Sequence, residues 1–472
     1  MIAVLAAACG GREPYVCASS DQCVLGGAPG VCEPNGFCSF DDPACGGGRR
    51  YEPNAGDGLG GACLEVDAGV PAGPCGAVAQ ACCATGPACI ANASCSSGTC
   101  AKCVTDIALG RHAACVLKHD GTVWCAGENM NGQLGFGLAG PPVTEWVQAR
   151  DSTSAAITDA TAVAAGWESA CAVRANGTVW CWGRISGAPS AVRVVRTDDT
   201  TLIGIVEIAA GQNHACGRDG AGVVWCWGAN GSGQLGDGTT IARTKAAPVL
   251  DAPLGPAMTG ALALTVGSDH ACVRKAGDAV WCWGLNSGGR LGDTTRTNRP
   301  NPVMVPAASS VAAGQRHTCA VRADGSVWCS GQAWRNRIGN GVGTYDTPAP
   351  GDYPTPVQVL TARAGPPLTN VTQVAAGGVS CVLSATKEVY CWGDNLYGQT
   401  GTGAGSTTPA LVLTDDGKPL AGIERIVARG PHACAYRDDG ELLCWGRGID
   451  GMYGDGTFAN RGLARPLGFS CR

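Results

Sequence analysis

Several absences narrow the field before any motif is read. The chain has no run of lysines and arginines; charged residues make up 15% of it and its formal net charge is −5. Binding a phosphate backbone needs a lysine and arginine footprint, so nucleic acid is not an expected partner. The same lack weighs against non-specific adhesion to anionic headgroups. After residues 1–9 no stretch is long and apolar enough to cross a bilayer as a helix. There is no Gly-x-Ser-x-Gly elbow, no His-Glu-x-x-His helix and no phosphate loop. What the chain has instead is glycine, 73 residues, and cysteine, 29 residues, the composition of a loop-rich all-β protein held by crosslinks.

Fourteen of the cysteines fall into seven pairs, each ten positions apart: Cys115 with Cys125, Cys171 with Cys181, Cys216 with Cys226, Cys272 with Cys282, Cys319 with Cys329, Cys381 with Cys391, and Cys434 with Cys444. The text between them reads as a hairpin. If Cys171 faces Cys181, then Val173 faces Val179 and the loop is Ala175-Asn176-Gly177. A three-residue hairpin loop ends in a left-handed residue, which glycine adopts without steric cost. Gly121, Gly177, Gly222, Gly325 and Gly440 hold that place, with Asp278 and Lys387 as exceptions. Opposed residues on antiparallel strands lie ~4.5–5.5 Å apart at Cα, within reach of a disulfide. One cross-strand disulfide per hairpin is therefore expected, each contributing roughly 2–3 kcal/mol by loop closure.

Alternation assigns the faces. In Trp180-Cys181-Trp182 both indoles share one side and the sulfur takes the other. Trp225-Cys226-Trp227 and Trp281-Cys282-Trp283 repeat this, so the indoles read as packing between neighbouring sheets. Upstream of each hairpin stands an apolar strand ending in glycine, such as Val163-Ala164-Ala165-Gly166, whose small residues suit a crowded centre. Downstream lies a glycine-rich loop, as in Gly228-Ala-Asn-Gly-Ser-Gly-Gln-Leu-Gly236, then a fourth strand containing Pro-Val. Four short strands recurring seven times predict an all-β, seven-bladed β-propeller.

The run Val-x-x-Ile-Ala-x-Gly-x-x-His, then Asp/Asn-Gly-Thr-Val, then Trp-Gly-x-Asn-x-x-Gly-Gln-Leu-Gly resembles the regulator-of-chromosome-condensation repeat over about residues 104–469. The resemblance implies a seven-bladed propeller, and the added cysteine pairs are similar to those of secreted bacterial relatives. The second copy departs from the pattern: Gly183-Arg-Ile-Ser-Gly187 runs almost directly into Ala188-Pro189, without the Gln-Leu-Gly loop. The fifth copy inserts Tyr345 through Tyr353.

Three regions are expected: 1–9 as the remnant of a secretory signal, 10–103 as a stalk of two small disulfide modules (about 10–63 and 75–103), and 104–472 as the propeller. Met-Ile-Ala-Val-Leu-Ala-Ala-Ala-Cys resembles a bacterial lipobox with Cys9 as lipid acceptor, departing from it at Ala6. Such a protein is an outer-membrane or cell-surface lipoprotein, touching the membrane only through that anchor, or else is freely secreted. Cys471 and one of the last stalk cysteines, Cys103 or Cys100, are expected to form a closure disulfide, because they flank the propeller sequence.

No catalytic, cofactor-binding or metal-binding set emerges. His112, His214, His270, His317 and His432 recur at one repeat position, which marks them as structural. The expected function is a non-enzymatic, monomeric interaction scaffold binding a protein or a glycan at the cell surface through its loop face. Residues that depart from the repeat nominate that face: Trp146, Trp167, Trp334, Arg335, Tyr345, Asp346, Tyr353 and Tyr397. The alternatives are guanine-nucleotide exchange, which the family resemblance implies, and polysaccharide binding or lyase chemistry in the propeller channel.

Overall fold

The computed structural model describes residues 103–342, 351–403, 405–467 and 469, together with the backbone pairing of short strands between residues 24 and 102. The chain divides into two compact units with the boundary between residues 102 and 103. In the first, two-residue to four-residue strands pair antiparallel, and their register sets Cys32 opposite Cys38 and Cys95 opposite Cys100. Cys9, Tyr345, Asp346 and Cys471 lie outside the described residues. Cys103 is buried and disulfide-bonded.

The second unit is a ring of seven antiparallel sheets, each made of four consecutive strands. The first blade comprises Val104–Leu109, Ala113–Lys118, Val123–Asn129 and Gly140–Gln148; the seventh comprises Ile423–Arg429, His432–Arg437, Leu442–Gly446 and Arg461–Pro466. The first strand of every blade lines the axial channel, where Ala108, Ala164, Ala209, Ala312 and Ala375 stand side by side. Small side chains predominate where so many strands converge, with Thr265 and Val427 at the same position in the fourth and seventh blades.

The hairpin register follows the cysteine spacing. Cys171 faces Cys181 and Val173 faces Val179, and Arg174 N–H donates to the Thr178 carbonyl at 2.9 Å. Gly177 sits at φ +73°, and the two non-glycine residues at this position, Asp278 and Lys387, are left-handed as well, at +60° and +62°. Seven disulfides form, one per blade, between strands held 4.0–4.1 Å apart at Cα. Each bridge is buried and faces the following blade: Cys171 and Cys181 pack with Ile205, Ile208 and Trp227. The indole one residue past the second cysteine faces the other way, so Trp182 packs with Leu134 and Val163, the former on the preceding blade. Sulfur on one side and tryptophan on the other thus make five of the seven interfaces from the same parts, Ala126 and Ser330 standing at the tryptophan position in the first and fifth blades.

The indoles are also hydrogen-bonded across the interface. Trp182 Nε1 donates to the Gln133 carbonyl at 2.9 Å, Trp283 to Gln234 at 3.0 Å, Trp392 to Arg337 at 2.9 Å and Trp445 to Gln399 at 3.1 Å. Each acceptor lies in the glycine-rich loop of the preceding blade. Trp227 lacks such a bond because the second blade has no such loop, and its buried Nε1 is left unpaired. Ring closure uses a substitute. The first blade carries Ala126 where five of its siblings carry tryptophan and the fifth blade carries Ser330, and Trp146 from its fourth strand fills the space against Gly454 of the seventh blade. Arg425 completes the seam by donating to Asp106 at 2.8 Å.

Candidate functional site

The loop between the third and fourth strands positions the side chains that matter. Its asparagine closes the turn: Asn230 Oδ1 accepts from Leu235 N–H at 3.0 Å, and Asn286 Oδ1 from Leu291 N–H at 3.0 Å. Its glutamine caps the same loop, as Gln234 Oε1 accepting from Ser232 N–H at 2.8 Å and Gln399 Oε1 accepting from Tyr397 N–H at 2.7 Å. In the fourth and fifth blades arginine replaces that glutamine. Arg290 and Arg337 are long enough to leave their own loop and reach the turn of the next blade: Arg290 Nη1 donates to the Gln315 carbonyl at 2.9 Å and Arg337 Nε to the Gly378 carbonyl at 2.9 Å. A capping residue has become a charge carried toward the axis.

There they meet other cations in a cavity of about 600 Å³, formed by the third-to-fourth-strand loops and the turns between first and second strands. Arg111, Arg290, Arg316, Arg335, Arg337 and Arg447 line it, against Asp269 and Asp394. The aromatic members are Trp167, Trp334 and Tyr397, each beneath a guanidinium: Arg111 lies 4.1 Å from the Trp167 centroid, Arg335 4.4 Å from Trp334 and Arg447 5.2 Å from Tyr397. Arg335 pairs with Asp394 at 2.7 Å, and Arg447 with Asp450 at 3.1 Å. Burial holds the guanidinium pKa of Arg290 and of Arg337 down at about 10, which leaves both charged at neutral pH. Burial also raises the Asp269 carboxyl, against the pull of Arg290.

The cup is blind. Beneath it the channel narrows to a neck of about 10 Å³ lined by Gly267, Gly314, Gly377, Gly430 and Arg429. Arg429 reaches from the seventh blade to the carbonyls of Ala210, Val266 and Gly267, and burial lowers its pKa to about 10. On the far side the channel opens again, lined by the inner strands. Four of the five repeat histidines are packed beneath the turns, His214, His270, His317 and His432, all essentially without exposure. His270 Nε2 bonds Thr318 Oγ1 at 2.9 Å and His317 Nε2 bonds Ser380 Oγ at 2.7 Å, each in the next blade. Among the described residues no group of three or more histidine, cysteine, aspartate or glutamate side chains is arranged to hold a metal ion.

Of the residues nominated from sequence, Trp167, Trp334, Arg335 and Tyr397 come together in this cup. Trp146 and Tyr353 do not join them. Trp146 lies in a fourth strand against Phe469, 5.4 Å between centroids, and Tyr353 lies in the fourth strand Asp352–Gln358, packed on the interface of the fifth and sixth blades.

The profile described as the regulator of chromosome condensation (RCC1) repeat matches residues 221–273 and 278–321, and a second RCC1 repeat profile matches 104–133, 160–184, 205–234 and 371–399. These segments are similar to RCC1 repeats. Curated relatives include the ultraviolet-B receptor UVR8 of Arabidopsis thaliana, 27% identical over 42% of this chain and 44% of its own length. The probable E3 ubiquitin-protein ligase HERC4 of Homo sapiens is 36% identical over 18% of this chain and 8% of its own. The chain therefore spans less than half the length of these relatives. Among solved structures, human WBSCR16 superposes with a TM-score of 0.59 at 18% identity, covering 74% of this chain and 94% of that one. Prp20p of Saccharomyces cerevisiae does so at 0.58 and 18%, covering 75% and 87%. These likenesses establish the fold.

The residues of the cup that sequence reasoning missed are Arg111, Arg290, Arg316, Arg337 and Arg447. Net charge hid them, since six arginines of the cup disappear in a total of −5. The signal was present in the alignment of copies: Gly289-Arg290-Leu291 and Asn336-Arg337-Ile338 stand where siblings read Gly-Gln-Leu.

Proposed function

We propose that this RCC1-repeat propeller is a non-enzymatic scaffold that docks a protein partner in and around the arginine-lined cup. The observation that carries this reading is the convergence of Trp167, Trp334, Tyr397 and six arginines in one concave site on an otherwise repetitive ring. Buried aromatics and arginines are the residue types that dominate interface energetics. Prp20p, which shares the fold, is described with binding to Gsp1p and histones, a precedent for protein recognition on this architecture. Seven buried disulfides support an oxidising compartment, and hence export to the cell surface or beyond.

The test is affinity capture from envelope fractions with the oxidised full chain and its variants. Trp334 is 46% exposed, so Trp334→Ala removes interface area without emptying a core. Trp334→Ala and Tyr397→Ala are each expected to lower capture of the partner about tenfold or more, with an unchanged melting temperature. Capture that ignores both substitutions would contradict the docking face.

A further inference from the structure

We propose that the cup is an anion site that receives a carboxylate-rich loop or chain end of the protein partner. This rests on the docking face above and names the chemistry it recognises.

The arginines divide into two groups. Arg335 and Arg447 have their own carboxylates, Asp394 and Asp450. Among the described residues, Arg111, Arg290 and Arg316 have no carboxylate within ion-pair distance. Arg111 rests on Trp167, Arg316 donates to Gln332 Oε1 at 3.2 Å, and Arg290 is held by Ser287 and the Gln315 carbonyl. Arg337 belongs with them. It is 3% exposed, reaches Asp394 only at 3.7 Å where Arg335 is already engaged, and its buried Nη1 has no partner among the described residues. These cations also act on one another, since Arg316 repels both Arg290 and Arg337. Asp269 and, more weakly, Asp352 oppose Arg290 from beyond ion-pair distance.

Buried guanidinium groups without full counter-charge are costly, and nothing in the repeat requires them, because glutamine serves at the same place in other blades. A guanidinium presents a planar fork of donors matched to an oxyanion, so a bound carboxylate would pair with the accessible forks of Arg111 and Arg316 and add counter-charge beside the buried Arg290 and Arg337. The source of the carboxylate follows from the shape and the aromatics. A blind cup accepts an end or a tight loop and cannot pass a through-running polymer. The indoles that would stack on a sugar or a base carry guanidiniums instead: Arg111 on Trp167, and Arg335 and Arg337, at 4.4 and 5.2 Å, on Trp334. What is left open is charge.

The experiment is fluorescence anisotropy of labelled hexaglutamate with the oxidised full chain, beside tripolyphosphate and an oligogalacturonate as competitors. Hexaglutamate is expected to bind, with affinity falling as salt rises. Arg316→Glu, on the rim, and Arg290→Gln, which restores the residue of the sibling loops, should each weaken binding about tenfold or more while leaving the melting temperature unchanged. Absence of binding, or equal binding by both variants, would overturn the proposal. An oligogalacturonate or tripolyphosphate that binds more tightly than hexaglutamate, with the same variant sensitivity, would keep an anion site and overturn the peptide source. Hexaglutamate failing to bind while capture of the partner still drops with Tyr397→Ala would remove the acidic class alone. Capture indifferent to every cup variant would remove the docking face itself.

Discussion

Lowering the pH from 7 to 5 is expected to destabilise the propeller by several kcal/mol, and four buried histidines account for it. Burial, reinforced by Arg429 near His214 and by Arg337 and Arg290 near His317, lowers the pKa of each of these two imidazoles to about 3. Burial, with a smaller push from His112, takes His432 to about 3 as well, and burial with Arg290 takes His270 well below its ordinary value. The sign follows from linkage. The unfolded chain binds protons at these sites below about pH 6.5 and the folded chain does not until about pH 3, so stability is full above 6.5 and falls as pH drops toward 3. Each such histidine costs about 1.4 kcal/mol per pH unit in that window, or about 2 kcal/mol by pH 5. Four together are large against a typical total of about 5–15 kcal/mol. Guanidinium unfolding of the oxidised protein at pH 7, 6 and 5 measures this, and a midpoint that does not move would contradict the buried neutral imidazoles.

Truncating one interface tryptophan is the second large effect. Trp283 is fully buried, packs against Gly236 and is bonded to the Gln234 carbonyl, so Trp283→Ala should cost about 3–5 kcal/mol. A finer comparison separates packing from hydrogen bonding. Trp283→Phe loses both ring volume and the bond, leaving a buried carbonyl unpaired. Trp227→Phe loses ring volume alone, because Trp227 Nε1 has no partner to begin with. The first substitution should therefore cost about 1–3 kcal/mol more than the second. Equal losses would mean that the interblade bond adds nothing.

These predictions show which features the sequence carries openly. Periodicity exposes whatever every blade needs. The ten-residue cysteine spacing with a left-handed third loop residue dictates the hairpin, the hairpin dictates the bridge, and strand alternation then sends sulfur and indole to opposite faces. The missing loop of the second copy even explains the orphaned indole of Trp227. The same periodicity conceals what individual blades do differently. Arg290 and Arg337 are single departures at a glutamine position, unremarkable one at a time and meaningful only once the ring brings adjacent loops to a common axis. Trp146 looked like a loop aromatic because it breaks the pattern. Its departure instead compensates for Ala126, a repair that becomes visible only where the last blade meets the first.

Hydrogen–deuterium exchange of the oxidised chain with and without its captured partner tests the account most directly. Protection is predicted at the cup, in Gly284–Gly292, Gly331–Gly339 and Gly393–Gly401, and at the turns that follow Gly110, Gly166 and Gly314. Protection confined to the hairpin turns on the opposite face, such as Ala175–Gly177 and Ala323–Gly325, would contradict it.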